Sequence, residues 1–94
     1  MEVRYMGKPV LYDFSASWCG PCRLQKPELE RLKQRLGDAV DIRVVDVDEN
    51  PELAARYGIR VVPTLIIEKD NEIMQVFQGV TRADILEDEL RRLL

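Results

Sequence analysis

The sequence predicts an α/β fold in which helices cover both faces of a mixed central sheet. Short apolar runs alternate with helix-like segments in the order strand, helix, strand, helix, strand, strand, helix. The first strand–helix–strand unit implies a parallel pair joined by a right-handed crossover. The last two strands are separated only by Asp70 and Asn71, which predicts a tight hairpin and hence an antiparallel pair.

The first two elements have clear patterns. Residues 9–14 are almost continuously apolar, as expected for a strand buried on both faces. Over residues 20–36, leucines recur at helical spacing and charged residues occupy the other positions, which predicts a helix. Pro21 lies in its first turn, where a missing N–H costs nothing, and Gly37 provides its stop. Pro27 lies inside the helix and is expected to kink it.

The remaining predicted elements are a strand, a short helix, the two hairpin strands and a last helix, over residues 42–47, 51–57, 65–68, 73–77 and 83–93. Asn50 is the expected cap of the short helix, and Thr81 with Asp84 predicts a capping box for the last one. Val3 and Tyr5 alternate with polar neighbours, which suggests a fifth, edge strand. The expected architecture is three layers, α/β/α, around four or five strands in a single domain over residues 1–94.

Composition argues against nucleic-acid binding and membrane insertion. The net charge is −3 with both signs interspersed, so the chain lacks the basic stripe that phosphate binding requires. No segment approaches the roughly 20 apolar residues that cross a bilayer. Residues 1–8 contain no apolar core of signal-peptide length. We therefore expect a cytoplasmic protein with neither nucleic acid nor membrane as partner.

The two cysteines of the chain, Cys19 and Cys22, stand at the start of the first predicted helix. Two intervening residues suit a disulfide closed across one helical turn. The free N–H groups and the positive end of the helix dipole favour a thiolate there, which lowers a cysteine pKa from its usual value of about 8.5. The spacing therefore predicts a dithiol that makes and breaks a disulfide.

Other uses of two cysteines fit less well. Without histidine the chain cannot fill a tetrahedral zinc site alone, and haem attachment needs a histidine where Arg23 stands. A purely structural disulfide closing so short a loop would stabilise little. A metal or iron–sulfur site shared between two chains is the alternative that remains.

From about residue 9 onward the chain resembles thioredoxin. The resemblance rests on Trp-Cys-Gly-Pro-Cys at residues 18–22 and on several other residues that lie at the family's spacing from this motif. Asp13 matches the family's buried aspartate, and Pro27 its helix-kinking proline. Residues 62–64, Val-Pro-Thr, match its cis-proline segment, and Gly79 matches a glycine near the substrate groove. The resemblance implies a thioredoxin fold.

Three departures from the family pattern stand out. The stretch before residue 9 is too short for the family's first strand and helix, so the fold is expected to be trimmed at its N-terminus. Ser15 stands where many relatives carry an aromatic residue, and Val44 where many carry a lysine near the buried aspartate. The sequence therefore leaves open which group handles protons beside the dithiol.

The expected catalytic residues are Cys19, Cys22, Asp13, Gly20 and Pro21. Cys19, nearer the helix start and the surface, attacks a substrate disulfide, and the more buried Cys22 resolves the mixed disulfide. Gly20 and Pro21 fix the loop between the sulfurs, and the resemblance implies that they give a reducing poise. Burial of Asp13 would raise its pKa and suit it to exchange a proton with Cys22, unless it is a solvated strand-end or capping residue.

The expected substrate-binding residues are Trp18, Val62, Pro63 and Gly79. Pro63 is expected to be cis, which would let the Val62 backbone pair with an extended substrate. Trp18 is expected beside Cys19. The simpler alternatives are a core tryptophan, an ordinary trans proline and a glycine that only serves a turn.

These observations predict an oxidoreductase that reduces protein disulfides through the reversible Cys19–Cys22 disulfide, with no bound cofactor or metal. The resemblance implies thioredoxin reductase or an equivalent electron donor and disulfide-containing proteins as partners, and we expect a monomer. One alternative is a glutaredoxin-like reductase that uses glutathione or another small thiol, although its usual inner dipeptide differs from Gly20-Pro21. Another is a redox-silent module that only binds a partner.

Overall fold

Four strands form one mixed sheet in the computed structural model, which describes residues 7–94. The strands are β1, β2, β3 and β4 at Val10–Ser15, Asp41–Asp46, Thr64–Lys69 and Glu72–Gln78, and their spatial order is β2-β1-β3-β4. β1 pairs in parallel with β2, while β3 is antiparallel to both β1 and β4. The predicted mixed sheet is confirmed. The suggested fifth strand at Val3 and Tyr5 lies outside the described residues.

The helices are α1, α2 and α3 at Gly20–Leu36, Pro51–Arg56 and Ala83–Arg91, with a short 3₁₀ turn at Gly37–Ala39. The core between the sheet and the α1–α3 pair includes Leu11, Leu29, Leu32, Leu65, Leu86 and Leu90. A second core on the other face contains Tyr12, Phe14, Val45 and Ile66, with Leu53 of α2 packed against it. The predicted three layers are therefore confirmed.

The side chains of β1 point alternately to the two faces of the sheet, and this alternation determines which of them face α1. Successive strand residues point to opposite faces, so Asp13 shares a face with Leu11, while Tyr12 and Phe14 share the other. Leu11 packs against α1, so Asp13 faces the helix that carries the second cysteine, Cys22.

The hairpin between β3 and β4 turns at Asp70 and Asn71, which have φ values of 52° and 67°. Two consecutive positive φ angles are typical of a type I′ turn, whose twist matches that of the flanking strands. Aspartate and asparagine tolerate this region better than most residues. The predicted tight hairpin is confirmed.

Asn71→Ala is expected to lower the free energy of unfolding by about 1 kcal/mol, because alanine tolerates a positive φ poorly. Asn71→Gly keeps the same backbone accessible and should be neutral or stabilising. Urea unfolding of both variants tests this. Equal stability of the alanine and glycine variants would contradict a turn that depends on positive φ.

The predicted N-cap residue of α2 is confirmed, whereas the predicted capping box of α3 needs correction. The N-cap of α3 is Arg82, and the Thr81 hydroxyl donates to the Gly79 carbonyl oxygen at 3.1 Å, so the capping box is not formed. The Ala83 N–H donates instead to Glu28 Oε1 on α1 at 2.8 Å. Asn50 occupies the N-cap of α2, but its side chain makes no capping hydrogen bond. The Ala83 N–H at the start of α3 is thus satisfied by the Glu28 side chain of α1.

Candidate active site

Cys19 and Cys22 are joined by a disulfide at the N-terminus of α1, with their Cα atoms 5.3 Å apart. Cys19 is the N-cap residue and has extended backbone angles, while Pro21 and Cys22 lie in the first turn. The Cys22 N–H donates to Cys19 Sγ at 3.1 Å. This N–H has no partner within the helix, so it is free to stabilise negative charge on the Cys19 sulfur.

Exposure does not distinguish the two cysteines. Cys19 is 4% exposed and Cys22 is 6% exposed, so the expectation that Cys22 is the more buried residue is wrong. Their surroundings do differ. Cys19 Sγ lies 3.6 Å from the Val62 carbonyl oxygen, whereas Cys22 lines a cavity that neither Cys19 nor Val62 lines.

The Val62–Pro63 peptide bond is cis, as expected from the sequence. The contact between the Val62 carbonyl and Cys19 Sγ places this segment directly beside the dithiol. The Gly79 N–H donates to the Pro63 carbonyl oxygen at 2.8 Å, and Gly79 has a φ of 91°. The dithiol, the proline segment and the Gly79 loop, residues 79–81, are therefore neighbours in space.

Asp13 is 3% exposed, and its Oδ1 has no hydrogen-bond partner among the described residues. Burial raises the pKa of Asp13 from an ordinary value of 3.8 to about 6, because a carboxylate loses its hydration in this environment. The alternative of a solvated strand-end residue does not fit this position. Asp13 can therefore change its protonation state near neutral pH.

A cavity of about 280 Å³ connects Asp13 to the dithiol, since both Asp13 and Cys22 line it. This volume is ample for water molecules. Lys26 and Arg23 of α1 also line the cavity, together with Val44. Lys26 was not singled out in the sequence, although its position four residues after Cys22 places both on one helix face.

Trp18 is 69% exposed, which rules out a core role for its side chain. Its indole Nε1–H donates to Asp48 Oδ2 at 2.8 Å, and the Asp48 N–H donates in turn to Asp46 Oδ1 at 2.8 Å. The ring is thus held from the loop that follows β2. No local pattern in the sequence pointed to Asp48, which lies 30 residues from Trp18.

Over residues 7–94 no group of three or more His, Cys, Asp or Glu side chains is arranged to hold a metal ion. No helix in the same range is long and apolar enough to span a membrane.

A protein-family model for thioredoxin matches residues 1–92. The chain belongs to the thioredoxin family. Thioredoxin of Bacillus subtilis (strain 168) is 42% identical over 85 residues, which cover 90% of this chain and 82% of that protein. Thioredoxin 1 of Synechococcus elongatus is 41% identical over 93 residues, covering 99% and 87%. The X-ray structure of Fasciola hepatica thioredoxin superposes with a TM-score of 0.82 at 36% identity, over 92% of this chain and 81% of that one.

Membership of the thioredoxin family gives the Cys19–Cys22 pair its chemistry. The two cysteines form a disulfide at the site where the family motif places it. The chain is therefore a thiol–disulfide oxidoreductase, and its general partners are disulfide substrates and a reductase.

Proposed function

We propose that this chain reduces protein disulfides by two successive thiol–disulfide exchanges, with Cys19 as attacking and Cys22 as resolving thiol. The observation that carries this order is the hydrogen bond from the Cys22 N–H to Cys19 Sγ, 3.1 Å long. It supports a thiolate on Cys19, and the thiolate is the nucleophile in such exchanges. Gly20 and Pro21 complete the turn that holds the two sulfurs together.

In the first step the Cys19 thiolate attacks one sulfur of the substrate disulfide. That bond breaks, the other substrate sulfur leaves as a thiolate and takes up a proton, and a mixed disulfide forms. The Cys22 thiolate then attacks Cys19 Sγ, which releases the second substrate thiolate and leaves the Cys19–Cys22 disulfide. Two electrons pass to the substrate, so the disulfide must afterwards be reduced by an electron donor.

Asp13 is proposed to accept the proton that Cys22 must lose before it attacks. The two residues line the same cavity, which has room for bridging water. Burial raises the pKa of Asp13 to about 6, which matches the demands on a general base near neutral pH. Lys26 and Arg23 line this cavity as well and contribute positive charge where Val44 provides none.

An extended substrate segment is proposed to lie along Val62 and Pro63, with its disulfide at Cys19. The Val62 carbonyl beside Cys19 Sγ supports backbone pairing of the kind used in strand addition. We propose that Trp18, 69% exposed and next to Cys19 in the chain, and Gly79, hydrogen-bonded to Pro63, border this segment of the substrate. Exposed side chains at Val61 and Val80 extend its apolar border.

The cellular setting is proposed to be the cytoplasm, where a thioredoxin reductase or an equivalent donor regenerates the dithiol. Thiols are kept reduced in the cytosol, and the chain uses both of its cysteines for the reversible disulfide. We further propose that residues 1–94 work as a single monomeric domain without a bound cofactor.

The proposed activity is tested with NADPH, a bacterial thioredoxin reductase and a disulfide-bonded protein substrate. NADPH oxidation that depends on the chain is expected, and the double variant Cys19→Ser/Cys22→Ser should show none. Turnover with glutathione and glutathione reductase but not with thioredoxin reductase would establish the glutaredoxin-like alternative instead. In a glutathione buffer set to the cytosolic potential, the Cys19–Cys22 pair should equilibrate mostly to the disulfide, as expected for a strong reductant. A pair that stays mostly reduced would mean that the chain oxidises its substrates instead of reducing them.

A further inference from the structure

Gln25 is a fully buried polar side chain, 0% exposed, on the second turn of α1. It lies three residues after Cys22, and the other buried residues of α1 beyond it are leucines. Its Nε2–H donates to the Thr81 carbonyl oxygen at 2.8 Å, and its Oε1 accepts from the Thr81 N–H at 2.7 Å. One side-chain amide thus satisfies both backbone groups of a residue 56 positions away.

The partner of Gln25 is the Gly79 loop beside the dithiol. Thr81 is 7% exposed, so its backbone groups cannot turn to bulk solvent if the amide is removed. At its other end the loop is tied to the cis-proline segment by the hydrogen bond from the Gly79 N–H to the Pro63 oxygen. The loop therefore spans from the proline segment to the helix that carries Cys22.

Glu28 reinforces this attachment from the next turn of α1. Its Oε1 accepts from the Ala83 N–H at 2.8 Å, two residues after the end of the loop. That hydrogen bond is the main reason that the pKa of Glu28 lies below its ordinary value. Gln25 and Glu28, three residues apart on one helix face, hold the backbone at two points.

Packing alone does not account for a glutamine at this position. Burying an amide is costly unless its hydrogen bonds are satisfied, and a leucine of similar size would fill the same space without that cost. Both amide bonds of Gln25 go to the loop and none to the sheet. The hydrogen bonds of the Gln25 side chain therefore hold the Gly79 loop in place.

We propose that Gln25 is a positioning residue that fixes the Gly79 loop at a set distance from Cys19 and thereby sets the affinity for polypeptide disulfides. The inference rests on the proposed function, in which an extended substrate lies between the loop and Trp18. Small disulfides reach Cys19 without contacting the loop, so their reduction does not depend on Gln25. Polypeptide substrates contact the loop and lose affinity when it is free to move.

The test compares Gln25→Leu with Gln75→Leu, a matched change at an exposed glutamine on the edge strand β4 that donates to Glu89 at 2.8 Å. Each variant is assayed with a disulfide-bonded protein and with bis(2-hydroxyethyl) disulfide. For Gln25→Leu we expect the KM for the protein to rise about tenfold, equivalent to about 1.4 kcal/mol. Its kcat and its rate with the small disulfide should stay within about twofold of the parent chain, and Gln75→Leu should change neither.

Amide hydrogen exchange supplies a direct readout of the loop. Protection at the Thr81 N–H should be lost in Gln25→Leu and kept in Gln75→Leu. If Gln25→Leu does not fold, Gln25→Met, which is unbranched and closer in shape, provides the same comparison. An unchanged KM for the protein substrate, or an equal loss with both substrates, overturns the inference. A parent chain that reduces neither substrate would instead refute the proposed function.

Discussion

Cys22→Ser is expected to accumulate a covalent complex with its protein substrate and to lose turnover to below about a thousandth of the parent activity. The backbone N–H at position 22 is retained in this variant. Cys19 therefore keeps the hydrogen bond that stabilises its thiolate, and it still attacks. A serine hydroxyl is a far weaker nucleophile at neutral pH than a thiolate, so the mixed disulfide is not resolved. Non-reducing electrophoresis and intact-protein mass spectrometry measure the trapped complex.

Cys19→Ser is the matched control for this experiment. It leaves Cys22 in the first turn of α1, facing the cavity that it shares with Asp13 rather than the Val62 carbonyl. No stable complex should form, although turnover is lost equally. Trapping through Cys22 in the Cys19→Ser variant would reverse the assigned roles. This outcome is informative because the two cysteines are equally buried, and only their contacts distinguish them.

Asp13→Asn is expected to stabilise the oxidised chain at pH 8 while it slows release of substrate. Between about pH 4 and pH 6 the folded state binds more protons at Asp13 than the unfolded state does, so stability falls as the pH rises through this window. The difference between an ordinary pKa of 3.8 and one of about 6 corresponds to about 3 kcal/mol above pH 7. Asparagine removes this cost. The gain in the free energy of unfolding should shrink towards zero at pH 3, because Asp13 is then mostly protonated in both the folded and the unfolded state.

Urea unfolding at pH 3 and pH 8 measures the effect on stability. Asp88→Asn, on the exposed side of α3, is the matched control and should change stability by less than about 0.5 kcal/mol at either pH. A stability gain for Asp13→Asn that is the same at both pH values would show that a charged, desolvated carboxylate is not its cause.

Asp13→Asn is also expected to slow the step in which Cys22 resolves the mixed disulfide. Asp13→Asn should slow attack by Cys22 by at least about tenfold near pH 7, because the cavity loses its proton acceptor. Attack by Cys19 should be unaffected. Rapid-quench measurement of both steps separates them. Since Lys26 and Arg23 face the same cavity, an unchanged resolution rate would assign the proton transfer to another group there or to solvent.

The sequence alone determined the order of elements, the hairpin and the dithiol, because each depends on local rules. Apolar periodicity, Pro21 in a first turn and two residues between cysteines are all readable within one or two helical turns. The same holds for the turn at Asp70 and Asn71. The resemblance to thioredoxin then predicted that Asp13, Pro63 and Gly79 belong to the surroundings of the dithiol and the substrate groove.

The tertiary structure alone decided which side chains complete the site. Gln25 contacts Thr81 across 56 positions, Trp18 contacts Asp48 across 30, and Glu28 rather than Thr81 satisfies the start of α3. Because Val44 stands where many relatives carry a lysine, the sequence did not show which positive charge lies near Asp13. In the structure, Lys26 and Arg23 line the same cavity as Asp13. The physical reason is that such contacts depend on how α1 packs over the sheet and against α3, and no periodicity along the chain encodes that geometry.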